Sequence, residues 1–197
     1  MKREDLCELH FITPIINLGS ILKLGILSHN RAKQIEHKSV AMQEIQDLRE
    51  NVVVPGGKPL HDYVNLYLCA RNPMLYKRRS HHAEICVLRI SIKVLDILGT
   101  VITDQNASSK YVRFGSAHEG LSNVNQSMVF ADDWTNPYDQ IAEWRHKSIK
   151  CAEVLVPDLI SPIYILGAYV SCSDPSEQIQ IIAPQFSVTV NSHLFFH

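Results

Sequence analysis

Two spacings of apolar residues alternate along this chain. One recurs at helical intervals, three to four residues apart. The other consists of short apolar runs bounded by Gly, Pro, Asn and Ser, as strands are. Cys7 to Ile12 reads as a first short strand. Thr13-Pro14 then opens a helix, with Thr as cap and Pro at the first helical position, and with Ile15, Leu18, Ile21 and Leu22 on one face. Gly25 closes it, as a left-handed cap would. Ser39 to Glu50 reads as a second helix with a Ser cap and apolar positions at Val40, Ile45 and Leu48. Pro55-Gly56-Gly57-Lys58-Pro59 is a turn, Val64 to Cys69 a strand, and Asn72-Pro73 the start of another helical turn.

Farther on, Glu84 to Ser91 reads as a buried strand and Thr100 to Thr103 as a short one. Asp104 to Val124 is polar and rich in Gly, Ser and Asn, which predicts a loop. Pro137 to Ile149 predicts a short helix. Cys151 to Val156, Ile163 to Val170, Gln178 to Ile182 and Phe186 to Val190 read as late strands. Helices thus dominate the first half and strands the second, which favours α+β over a doubly wound α/β fold.

The chain has 197 residues, enough for one domain over 1–197 with its own core and no need of a staple. With 19 Lys and Arg against 20 Asp and Glu, the net charge is −1, so any nucleic-acid contact must come from a local basic patch. Five cysteines without a CxxC pair predict reduced, mostly buried thiols. No apolar run approaches the roughly 18 residues of a membrane span, and Met1 to Asp5 shows no apolar signal core. The expectation is a cytoplasmic protein with no membrane partner. No GxGxxG follows a strand and no GxxxxGK occurs, which argues against Rossmann and P-loop sites. Ten histidines form neither HExxH nor HxH, which predicts no metal.

Four places combine reactive residue types with suitable elements. His10 ends a strand just before a capped helix, where a ring nitrogen can meet a sugar hydroxyl. Tyr76 follows Tyr67 by nine positions in NLYLCARNPMLY and could stack on a planar heterocycle. Glu153 interrupts the apolar run AEVLV, and a Glu is seldom buried unless paired or functional. Arg49 lies on the helix QEIQDLRE. Taken singly, each has a plain structural reading: an edge histidine, a core aromatic, a glutamate on a wet sheet face, a solvated arginine.

Their order carries more. The segments LHFITPIINLGSILKLGILSHN, SVAMQEIQDLRE, PGGKPLHDYVNLYLCARNPMLY and AEVLV, running from about residue 9 to 156, resemble the ADP-ribosyltransferase superfamily with its His–Tyr–Glu arrangement. Within it they are most similar to the DarT family of DNA ADP-ribosyltransferase toxins, which pair with a macrodomain antitoxin. That resemblance implies the ADP-ribosyltransferase fold: an α+β arrangement with a mixed or antiparallel split β-sheet core and flanking helices. It implies NAD as substrate and no metal. His10 and Thr13 would line the nicotinamide-ribose end, with Asn17 beside them. His29 and Asn30 would touch the adenosine side and Tyr76 would stack near the nicotinamide. Arg49 and Glu153 match the family's catalytic arginine and glutamate.

The chemistry suits these types. Breaking the N-glycosidic bond of NAD builds positive charge on the ribose, and a carboxylate facing it binds more strongly in the transition state. By resemblance the acceptor is a thymine in single-stranded DNA, held by stacking groups and a cationic groove. Lys77 and Arg78, with Arg79 beside them, and Arg145 and Lys147, with Trp144 beside them, are the candidate strand contacts. The stretch from Trp134 to Glu153 is longer than the family pattern leads one to expect, and no role is carried onto residues 105–126. The rival functions are transfer to RNA or protein, NAD hydrolysis with water as acceptor, and a silent NAD- or nucleic-acid-binding module.

Overall fold

The computed structural model describes residues 1–196. Its strands form an eight-stranded sheet in the order β10-β9-β4-β1-β3-β7-β5-β6, antiparallel except for the β10–β9 pair. In chain order these are β1 (Leu9–Pro14), β3 (Tyr63–Tyr67), β4 (Ile85–Ile90), β5 (Val101–Thr103), β6 (Phe114–Ser116), β7 (Glu153–Pro157), β9 (Ile165–Val170) and β10 (Val188–Val190). A separate ribbon joins β2 (Ile26–Leu27) to β8 (Leu159–Ile160). The helices are α1 (Leu18–Leu24), α2 (His29–Ala32), α3 (Gln43–Glu50), α4 (Pro73–Lys77), α5 (Gln126–Val129), α6 (Gln140–Lys150) and α7 (Ser173–Ile182).

The sheet is split at its centre. β1 pairs with β4 through six residue pairs and β3 with β7 through five, but β1 meets β3 at His10–Tyr67 alone. Beyond that pair the end of β1 and the start of β3 diverge and leave a wedge between two half-sheets. Side chains on successive strand residues point to opposite faces. Leu9, Leu66, Leu88 and Val154 pack in the main core under α1 and α7. Ile12, Tyr67, Leu75 and Val87 pack on the other face beneath α4 and Phe195. Glu153 stands directly opposite Tyr67 and shares its face.

Several local expectations hold for the stated reasons. Asn72 caps α4 by accepting from the Leu75 N–H at 3.0 Å, with Pro73 at the first helical position. Gly25 has φ 86° after α1, and a Cβ there would run into the Ile160 carbonyl. The helix expected over Pro137 to Ile149 is α6, and the structure adds its cap, Asp139, which accepts from the N–H groups of Ile141 and Ala142.

Other expectations are corrected. Thr13 does not cap a helix: it pairs with Cys86 inside β1, and α1 begins only at Leu18 after a 3-10 turn. Ser39 does not cap either, because α3 begins at Gln43 and residues 33–42 are irregular. The polar stretch after Asp104 is not all loop: β6 pairs there with β5. Gln178–Ile182 is helix rather than strand, the second half of α7. Pro175 sits in the first turn of that helix and Ile179 is buried in the core, so one turn after Pro a short apolar run continues the helix.

Candidate active site

A cavity of about 560 Å³ fills the wedge between the half-sheets. The end of β1 supplies Ile12 to Pro14, β3 supplies Tyr63 to Asn65 and Tyr67, and α3 with the preceding irregular segment closes the outer wall. The volume lies within the usual range for small-molecule sites.

Arg49 reaches into this wedge from the last turn of α3. Its Nη1 and Nη2 donate to Oε1 and Oε2 of Glu153, each at 3.0 Å. Both residues are buried, Arg49 at 6% exposure and Glu153 at 0%. The solvated helix arginine of the sequence-based reading is therefore replaced by a buried, bidentate ion pair. Burial works against the guanidinium's charge, but the Glu153 carboxylate outweighs it and holds the Arg49 pKa above its ordinary value. The Ala107 N–H donates to Glu153 Oε1 at 3.2 Å, and the Glu153 N–H donates to Thr103 Oγ1 at 3.1 Å. Tyr67 stands beside the pair, its phenol pushed well above the ordinary range by burial and by the Glu153 charge. The Cys151 thiol is pushed up to about 12, again by burial and then by Glu153.

Thr13, Asn17, His29, Lys77, Arg78 and Lys147 line the same cavity. Asn17 fastens its wall: its amide donates to the Lys38 carbonyl at 2.7 Å and accepts the Lys38 N–H at 3.0 Å, and it donates to Thr13 Oγ1 at 3.2 Å. Arg78 donates through Nε and Nη2 to the Val40 carbonyl, so it holds the irregular wall in place. Lys147 pairs with Glu143 one turn earlier on α6.

His10, Asn30, Tyr76, Trp144 and Arg145 do not line the cavity. His10 lies in one cross-strand row with Tyr67 and Glu153, but its Nε2 sits 3.4 Å from Glu8 and its ring lies 6.4 Å from that of Tyr169. Burial would raise the Glu8 pKa, but hydrogen bonds from His10 and Arg89 draw it down to about 2. Asn30 donates to Asp62 at 2.8 Å. Tyr76 lies on α4 in an edge-to-face cluster with Trp134 at 5.8 Å and Phe196 at 5.1 Å. Trp144 and Arg145 are exposed on α6.

Sequence reasoning did not single out His61. Its ring lies 4.2 Å from that of His29, and both line the cavity. Burial pushes both below the ordinary histidine value, His29 to about 4, and the Arg49 charge adds to the effect on each. His61 Nε2 is buried without a partner. It lies in the HDYV stretch, so residue type and neighbourhood were visible, but its burial was not. Ala107 acts through its backbone, which no side-chain pattern reveals. Among the described residues no group of His, Cys, Asp and Glu could hold a metal ion.

The split, mostly antiparallel sheet is the ADP-ribosyltransferase fold, and in this chain an arginine–glutamate pair is buried beside its wedge. Residues 10–196 match the family described as ssDNA thymidine ADP-ribosyltransferase, DarT, and the chain belongs to that family. It is 30% identical over 176 residues to a DNA ADP-ribosyl transferase–DNA ADP-ribosyl glycohydrolase fusion protein of Thermosipho africanus, covering 83% of this chain and 42% of that protein. The chain thus spans about two fifths of that relative's length. Two solved structures of DarT from Thermus sp. 2.9 are also similar. The complex with ADP-ribosylated ssDNA has a TM-score of 0.84 and 27% identity, covering 99% of both chains. The complex with NAD+ has a TM-score of 0.77 and 25% identity, covering 95% of this chain and 96% of that one.

Proposed function

We propose that this chain is an NAD-dependent mono-ADP-ribosyltransferase that modifies a thymine base in single-stranded DNA, through one domain spanning 1–197. The observation that carries this reading is the buried Arg49–Glu153 pair, in which Arg49 lines a nucleotide-sized cavity and Glu153 lies fully buried behind it. The matched family and the ligands of the Thermus structures support it. The residues present suit NAD. His61 lines the cavity, and its Nε2 is a buried polar atom still lacking a partner.

In the reaction the C1′–N bond to nicotinamide breaks and nicotinamide leaves as the neutral base. A bond forms from C1′ to a thymine ring nitrogen, which gives up its proton. Positive charge builds on the ribose as the first bond breaks, and the Glu153 carboxylate faces that charge. An ionised carboxylate offers about four acceptor positions. Three donors hold Glu153 here, the two guanidinium N–H groups and the Ala107 N–H. Substrate reaches the carboxylate when Arg49 shifts from it, and the freed guanidinium then orients phosphate or the acceptor base. The same carboxylate is placed to take the proton of the attacking nitrogen. His10, Thr13, Asn17, His29, Asn30 and Tyr76 are proposed for NAD, and Lys77, Arg78, Trp144, Arg145 and Lys147 for the strand.

On this reading the chain is a toxin, and its partner is a macrodomain antitoxin that removes ADP-ribose from DNA. The glycohydrolase half of the Thermosipho fusion protein supports that pairing. Its place of work would be the cytoplasm. Among the described residues no helix is long and apolar enough to cross a membrane.

Intact-mass analysis of matched DNA and RNA oligonucleotides, incubated with the protein and NAD, tests the reading. The expected result is an ADP-ribose adduct on single-stranded DNA alone. Glu153→Gln should lower its rate by about 10²–10⁴-fold. An adduct on RNA only, or NAD consumption with no adduct, overturns the acceptor. Full activity in Glu153→Gln overturns the role of the carboxylate.

A further inference from the structure

Lys150 ends α6 three residues before Glu153, and it is 0% exposed. Long lysines at surfaces keep the ammonium in water and bury only the stem. This one is buried to its head, and among the described residues no carboxylate pairs with it. An ammonium has three N–H donors, and a buried charge must be met by polar groups or cost several kcal/mol. Nζ donates to the Val129 carbonyl at 2.8 Å and to the Ala131 carbonyl at 2.6 Å, and it lies 3.5 Å from Cys69 Sγ. The Trp134 ring centroid is 5.8 Å away. One ammonium thus ties together the end of α5, the segment leading to Trp134, and the residue two beyond β3.

The segment it holds is the only covalent route from α5 to α6. Trp134 is pegged edge-on between Tyr76 and Phe196, at 5.8 and 5.7 Å. His146 on α6 meets the Met128 carbonyl at 2.9 Å as a second tie. Beyond these ties, Tyr138, Ile141 and Trp144 stand exposed, while Lys147 and Ser148 of the same helix line the cavity. One backbone bond joins the two regions, from the Asn106 N–H beside Ala107 to the Ser148 carbonyl of α6 at 2.9 Å, while no side chain of residues 126–150 hydrogen-bonds to Arg49 or Glu153.

We infer that Lys150 is a positioning residue for the DNA acceptor, fixing the α5–α6 unit against the mouth of the NAD cavity. This rests on the DNA-transferase reading. Lys150→Met removes the three donors and keeps the apolar stem, and Lys150→Arg restores a cation with donors.

NAD binding, NAD consumption without DNA, and transfer to a single-stranded oligonucleotide are measured separately on all three proteins. The expectation for Lys150→Met is NAD affinity and DNA-free NAD consumption within about twofold of wild type. Its KM for the oligonucleotide should rise at least about tenfold, with partial recovery in Lys150→Arg. An unchanged oligonucleotide KM in a folded Lys150→Met, or parallel loss of NAD binding and transfer, overturns the inference. If wild type itself makes no DNA adduct, the DNA reading fails, and Lys150 has no acceptor to position. If Lys150→Met does not fold, hydrogen exchange on the wild type decides. Amides of residues 128–134 should gain protection with the oligonucleotide and not with NAD alone; the reverse pattern, or no change with either, overturns the assignment.

Discussion

Arg49 and Lys150 are both buried cations within reach of the same strand, yet they are neutralised in opposite ways. Arg49 meets a carboxylate in a two-pronged contact, and its partner lies 104 residues away. Lys150 meets only carbonyls and a thiol, from segments 19 to 81 residues away. The difference shows in their titration. Glu153 keeps the Arg49 pKa above its ordinary value, whereas burial lowers that of Lys150 and Cys69 offsets this only in part. A charged pair at the base of a cavity suits chemistry, because it stores two opposite charges where charge must later develop. A lone ammonium among carbonyls suits fastening, because its acceptors belong to backbone that has to stay in place.

The largest break of this contrast is Arg49→Ala. It strands the Glu153 carboxylate in a dry site, so stability should fall by about 3–5 kcal/mol in chemical denaturation. Replacing both partners with apolar residues, Arg49→Met with Glu153→Leu, should regain most of that while transfer stays absent. Continued loss of several kcal/mol in the double variant would show that the pair is structural. Lys150→Met should cost less, about 1–3 kcal/mol for the buried Val129 carbonyl it leaves unpaired, because the part-buried Ala131 carbonyl can turn to water and no charge is stranded.

Acid separates the cavity from the rest of the molecule. His29 has its folded pKa near 4, below an unfolded value of about 6.5, so the unfolded chain takes up protons that the folded one refuses. Its contribution is fully present above about pH 6.5 and is lost as pH falls toward 4. Thermal melts should drop across that window, and His29→Ala should flatten the slope there. Glu8 acts in a lower window: its folded pKa is about 2, so stability it adds is present above its unfolded value, about 4.3, and lost as pH falls toward 2. A melt that is level from pH 6.5 to 4 would remove the half-buried neutral His29 from the cavity wall.

The smallest expected effect belongs to the exposed side of α6. Trp144 is 58% exposed, so Trp144→Ala should leave stability unchanged. It should weaken oligonucleotide binding by about 1–3 kcal/mol if a base stacks there. An unchanged affinity would move the strand off this helix.

Particular residues show where sequence reading worked and where it stopped. Glu153 stood out because an acidic residue in an apolar strand demands an explanation. Arg49 looked like any helix arginine, and only the family pattern singled it out. Lys150 belongs by sequence to the basic cluster before Glu153, a candidate phosphate contact, and its burial takes it out of that role. The stretch 178–182, QIQII, was ambiguous because its alternation of Gln with β-branched Ile fits a strand, while five residues are too few to tell that from one turn of a helix. β6 was hidden because three residues with one glycine carry no alternation. The orientation of His10 toward Glu8 and Tyr169 depends on neighbours two strands away.

What the sequence determined by itself is what acts over a few residues. The Asn72-Pro73 start of α4, the Gly25 exit from α1 and the buried strands around Val87 and Val154 follow from capping, φ preference and apolar runs. The tertiary structure alone decided that β1 and β3 touch at one pair and then part. It also brought Arg49 onto Glu153 and folded Lys150 under the α5–α6 unit. Local preferences fix an element's kind. Where its charges end up depends on which distant backbone and side-chain groups pay for removing them from water, and those partners exist only once the chain has closed.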